Sequence, residues 1–143
     1  MQSSWVSLVF RSLVVPSFAA FAVFLNAGLG EAQTFRFQLQ PLCDTVVLTF
    51  VPSASSSVLG VVGYDDNCGQ DPRSPISGTA IVNPDGSVTI GFTTSLPYSV
   101  YGRADVALQT NVEIPANSFS GVWRDDDGNT GPFKFDLLDQ KSG

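Results

Sequence analysis

The sequence contains no histidine, and among its 143 residues there are only two cysteines and one methionine. The missing histidine excludes Ser-His-Asp and Cys-His nucleophilic machinery in their usual forms. It also removes imidazole as a metal ligand, and with both cysteines assigned to a bridge, zinc and copper lose their ordinary donors. No cofactor is expected. Basic residues are scarce too: Lys+Arg 7 against Asp+Glu 13 gives a net charge of −6. Nucleic-acid binding needs a basic stripe, and there is none. Long apolar runs are also lacking. Leu13–Leu25 (LVVPSFAAFAVFL) falls short of the roughly 20 residues that span a bilayer and is broken by Pro16.

What stands at the N-terminus instead is an export pattern. Arg11 is the only charge before Glu31, the apolar run follows, and Gly30 and Ala32 satisfy the small-x-small rule for cleavage. Residues 1–32 are therefore expected to be a signal peptide cut at Ala32|Gln33, and 33–143 a single secreted domain with no membrane insertion after cleavage. Retention of the segment as an anchor is the alternative. Secretion, into the periplasm or the extracellular medium, places Cys43 and Cys68 in an oxidising compartment, where a lone pair most simply forms one disulfide. Closing a loop of about 25 residues stabilises a fold by about 3 kcal/mol in the chain-entropy model.

Helical periodicity is absent over any stretch of ten or so residues beyond the leader. Apolar and polar residues alternate instead, with Gly, Pro or Asp punctuation, which is the all-β pattern. Eight strands are predicted: TFRFQLQ, TVVLTFV, VLGVVGY, ISGTAIV, SVTIGFT, one within VYGRADVALQT, SFSGVWR and PFKFDLL. Between the fourth and fifth, Asn83-Pro84-Asp85-Gly86 reads as a type I turn with Gly86 at the left-handed bulge position. Short connections and glycines inside strands favour an antiparallel up-and-down barrel of about eight strands, with a β-sandwich as the alternative. In the barrel Cys43 and Cys68 lie at the same end of one hairpin.

Four stretches in order, FRFQLQPLCD, GYDDNCGQ, NPDGSV and SGVWRDDDGNTGPFKF, resemble a small domain that recurs in secreted bacterial proteins. Its pattern is Gln-Leu-Gln-Pro-x-Cys, Tyr-Asp-Asp-x-Cys-Gly, Asn-Pro-Asp-Gly and Ser-Gly-x-Trp-Arg-Asp. The resemblance covers Phe35 to Phe135 and implies the fold rather than an activity. A looser likeness is to the calycins, the lipocalin and avidin-like barrels that hold small ligands. Gly121-Val122-Trp123 is similar to their Gly-x-Trp element, which those families carry on the first strand and this chain on the predicted seventh, so the likeness is one of architecture.

Carboxylates are the remaining chemistry. Asp65-Asp66 and Asp125-Asp126-Asp127 could supply an acid and a base only if two of them were buried close together in unequal surroundings. As an EF-hand the second run fails, since Gly128 is fourth rather than sixth and the twelfth position is Asp136. A weak calcium site at Asp125, Asp127 and Asn129 is the alternative to a plain hairpin tip, which Asp127-Gly128-Asn129 favours. Trp123 shares a strand face with Phe119 and Gly121, either as core or, with Tyr64, Tyr98 and Tyr101, as a stacking platform for a sugar or heterocycle at a barrel mouth. Phe35, Phe37, Phe92, Trp123, Phe133 and Phe135 would fill the barrel if all pointed inward. Three functions follow: a secreted non-catalytic binding module for a small apolar or sugar-like molecule or a surface macromolecule, a structural or protein-interaction domain with a filled barrel, and a carboxylate-dependent enzyme.

Overall fold

A computed structural model describes residues 21–27, 31–55, 57–96 and 106–136. A short helix, α1 (Phe21–Ala27), precedes eight strands: β1 (Gln33–Leu39), β2 (Thr45–Pro52), β3 (Val58–Asp65), β4 (Ser74–Val82), β5 (Val88–Leu96), β6 (Val106–Ile114), β7 (Gly121–Asp125) and β8 (Thr130–Phe135). Each strand pairs with the next, and β8 returns to β1 through Phe37↔Phe135 and Leu39↔Phe133. The barrel is closed and up-and-down, so no edge is left to template further pairing.

Alternation sets the core. Phe35, Phe37 and Leu39 from β1, Val46, Leu48 and Phe50 from β2, Val88, Ile90 and Phe92 from β5, and Trp123 and Phe133 all point inward and are buried. Phe37 stacks on Phe133 with ring centroids 4.3 Å apart. Phe135 is partly buried against the same cluster. β6 runs on through Asn111-Val112-Glu113-Ile114, beyond the expected end at Thr110, because Val112 and Ile114 continue the inward alternation and pair with Ile90 and Val88.

Two of the strand glycines show how the sheet coils tightly enough to close. A Cβ at Gly78 would run into the carbonyl of Gly91 across the ladder, and one at Gly121 into that of Glu113.

Up-and-down order sorts the connections between the two ends. The β1–β2, β3–β4 and β7–β8 connections gather at one end, where β5 also ends and β6 begins. The β2–β3, β4–β5 and β6–β7 connections, with α1 leading into β1, stand at the other. Asn83–Ser87 forms the expected turn: Gly86 N–H donates to Asn83 O at 3.0 Å and Gly86 has φ 92°.

Cys43 and Cys68 are bridged, with Cα atoms 5.0 Å apart. Asn67, Cys68 and Gly69 take φ of 52°, 59° and 79°, three left-handed residues in succession. Asn and Gly tolerate that region, whereas Cys68 is held in it by its surroundings, the bridge included. Among the described residues no helix is long and apolar enough to cross a membrane.

Candidate functional site: an acid-lined mouth

Buried polar side chains gather towards the disulfide end of the barrel. These include Asp65 on β3, Ser74 on β4, Thr94 on β5, Thr110 on β6 and Asp125 on β7, all buried. Asp65, Thr94 and Asp125 line a cavity of about 300 Å³, together with Leu42, Asp44, Asn67, Leu96, Leu108 and Asn129. Volumes near 300 Å³ lie at the small end of ligand pockets. A hollow of about 490 Å³ lies over the β1–β2 connection, lined by Gln38, Gln40, Pro41, Thr45 and Pro132. It shares Asp44 with the mouth, but of the three clustered acids it reaches only that one.

Local sequence builds this mouth. Asp66 N–H donates to Thr45 O at 2.9 Å, and Asp66 Oδ1 accepts from Thr45 N at 3.0 Å and Cys68 N at 3.1 Å, so the turn after β3 is stitched to the start of β2. Asn67 spans the β3–β4 connection by donating from Nδ2 to Pro72 O at 2.6 Å and to Ser74 Oγ at 2.8 Å. The bridge adds Cys43 to the same turn and carries Asp44 in with it. Oxygens of Asp44, Asp65 and Asp66 then all lie within 4.8 Å of one another.

Three carboxylates so close cannot all stay ionised at low cost. Burial pushes Asp65 up to about 7, against a lowering hydrogen bond from Asn67 N–H (2.8 Å), and the nearby charge of Asp44 and a side-chain hydrogen bond to it raise it further. Asp44 is raised as well, first by burial, while its bond with Asp65 pulls the other way and the charge of Asp66 again raises it. Both carboxyls are thus raised, and burial favours a proton held between Asp44 and Asp65. Arg36 offsets part of the remaining charge from outside, 4.0 Å from Asp66 Oδ2 and 3.5 Å from Asp136 Oδ2. Asp65 Oδ1 and Asp66 Oδ1 also accept backbone N–H groups, which orient both carboxyls.

The sequence-predicted site residues are spread over different places. Trp123 is 1% exposed and donates from Nε1 to Gln40 O at 2.8 Å. It lies in the core and anchors the β1–β2 connection instead of standing open at a mouth. Tyr64 is half-buried on the outer face of β3, with the Arg73 guanidinium 4.3 Å from its ring centroid. Tyr98 and Tyr101 lie outside the described residues. Asp125 is buried and its carboxylate closes the hairpin: Oδ1 accepts from Asp127 N at 3.0 Å and Asn129 N at 2.9 Å, and Oδ2 from Asn129 Nδ2 at 3.1 Å. Gly128, at φ 92°, completes the tip, and Asp127 and Asn129 are exposed. The three residues of the candidate calcium set therefore hold the turn together, with Asp125 already taken up by it.

Asp44 is the residue that sequence reasoning passed over. The available signal was its place next to Cys43, since a bridge to Cys68 brings it beside Asp65-Asp66. No protein-family model matches the chain, and no curated protein or solved structure matches it.

Proposed function

We propose that this chain is an exported, non-catalytic binding module that seats one small, hydroxyl-rich, sugar-like molecule in the acid-lined mouth. The observation that carries this reading is the contrast within one barrel: aromatic side chains fill much of the interior, and a cavity of about 300 Å³ stays open where Asp44, Asp65, Thr94 and Asp125 approach it. Carboxyl oxygens accept hydroxyl protons, and Leu42, Leu96 and Leu108 offer an apolar wall for the C–H face of a ring. The disulfide supports export, because it persists in oxidising compartments. The calycin likeness enters only as a precedent for closed barrels that hold ligands at one end.

The filled interior favours a second reading, a structural or protein-interaction domain that uses its outer surface. The Asp44–Asp65 pair favours a third, an enzyme, since a carboxyl that keeps its proton near neutral pH beside an acceptor can serve acid–base chemistry.

Native mass spectrometry of the chain purified from its own host's medium separates these. The binding reading expects an additional mass, in the range of a mono- or disaccharide, that leaves on denaturation. A bare, bridged polypeptide that takes up no saccharide from a panel would contradict it.

A further inference from the structure

The opposite mouth of the barrel is closed by α1. Its seven residues are well short of the roughly 12–15 that an isolated helix needs in water, so it is helical because it is docked. Phe21, Ala22 and Leu25 face the barrel and are buried, while Val23 faces out. The Phe21 ring is fully enclosed, 5.0 Å from Phe35, 5.6 Å from Phe37 and 5.2 Å from Phe50, edge-on to each at 77°, 87° and 74°. Edge-to-face packing against three rings holds one phenyl group in a defined position. Beside this cup stands one polar group: Phe21 N–H donates to Ser118 O at 3.0 Å. Ser118 is itself fixed, its Oγ donating to Ser120 O at 2.7 Å and accepting from Ser120 N at 3.1 Å.

We infer that this mouth is a binding site for a phenyl-type ring carrying an N–H donor three bonds away, and that Phe21 of the leader segment occupies it as a built-in ligand. The three-bond spacing is that of a phenylalanine backbone nitrogen from its own ring, which is the donor–ring pair now seated there. An export cut at Ala32|Gln33 would release α1 and leave every strand whole, since β1 begins at Gln33. The cup would then expose three aromatic rings and a carbonyl that has lost its donor, and both favour a replacement of the same chemistry. A small amine of this kind also suits a chain of net charge −6. The inference stands apart from the acid-lined mouth, which lies at the other end of the barrel and reports through different residues.

The test is an NMR titration of the full chain and of its Phe21→Pro variant, which removes both the phenyl ring and the N–H that Ser118 O accepts, following the ring resonances of Phe35, Phe37 and Phe50. The probes are 2-phenylethylamine, which carries the ring and the donor at the right spacing, and toluene, which lacks the donor. The variant is expected to show saturable shifts at the three rings and a Tm that rises with 2-phenylethylamine, with toluene about tenfold weaker. The parent should show neither, because Phe21 fills the cup. A folded variant with no shift at these rings, or equal binding of toluene, overturns the inference. If Phe21→Pro does not fold, Phe21→Ala, which opens the cup but keeps the N–H, should bind both probes alike, and no shift at these rings there overturns the inference. A chain that binds saccharides at the acid-lined end while failing here would leave the proposed function standing, and the converse holds.

Discussion

At pH 8 the Asp65→Asn variant is expected to be more stable than the parent by about 1–3 kcal/mol, and the gain should vanish near pH 4. Its sign follows from burial. The unfolded carboxyl ionises near 3.8, whereas in the folded barrel Asp65 holds its proton up to about 7. A group with a raised folded pKa contributes stability that is complete below the unfolded value and is lost as pH rises through the folded one. The parent should therefore lose stability between about pH 4 and pH 7, by no more than about 4 kcal/mol at about 1.4 kcal/mol per unit. The amide cannot ionise. Its oxygen can keep accepting from Asn67 N–H, and its NH₂ can donate to Asp44 as the protonated acid does. Chemical denaturation of both proteins from pH 4 to pH 8 checks this. A variant less stable than the parent at pH 8 would mean that the folded barrel does not penalise the Asp65 carboxylate and that its pKa is not raised.

Trp123→Ala should cost about 3–5 kcal/mol, the range for removing a large buried aromatic side chain. For a domain of this size that is a fall in Tm of well over ~10 °C. Two losses combine: the indole volume at the centre of the barrel, and the donor to Gln40 O that holds the β1–β2 connection over the acid-lined mouth. Trp123→Phe separates them. It keeps most of the volume and should cost about 1–3 kcal/mol, because a carbonyl loses its partner. Faster amide exchange at Leu42–Asp44 should accompany it. Thermal melts of the two variants also decide the role of this residue. A stacking platform at an open mouth would cost little stability when removed, so a loss under about 1 kcal/mol would contradict its place in the core.

The barrel was legible because its determinants are local or periodic. Inward alternation in FRFQL and VTIGF named core residues directly, and Pro84 with Gly86 specified a turn type from two residues. The aspartate run was legible for the same reason: Gly128 supplies the left-handed residue, and Asp125 finds the backbone N–H groups two and four positions along. What escaped depends on contacts between distant segments. Asp44 and Asp65 are 21 positions apart, and only the bridge and the β2–β3 register make them a pair. The face of Trp123 could be read, but not whether the barrel is hollow behind it, because that turns on how many rings enter from other strands. α1 carries an export pattern, and seven residues leave too little periodicity to show that Phe21 fits among Phe35, Phe37 and Phe50.

The acid-lined mouth as the ligand site is tested most directly by ¹H–¹⁵N NMR of the chain titrated with a panel of monosaccharides and polyols. At least one ligand should move the amides of Asp65, Asn67, Thr94, Leu108 and Asn129 in a saturable way, leaving those around Phe35 and Phe50 still. Uniform silence across the panel, or shifts confined to the outer face near Tyr64, would contradict it.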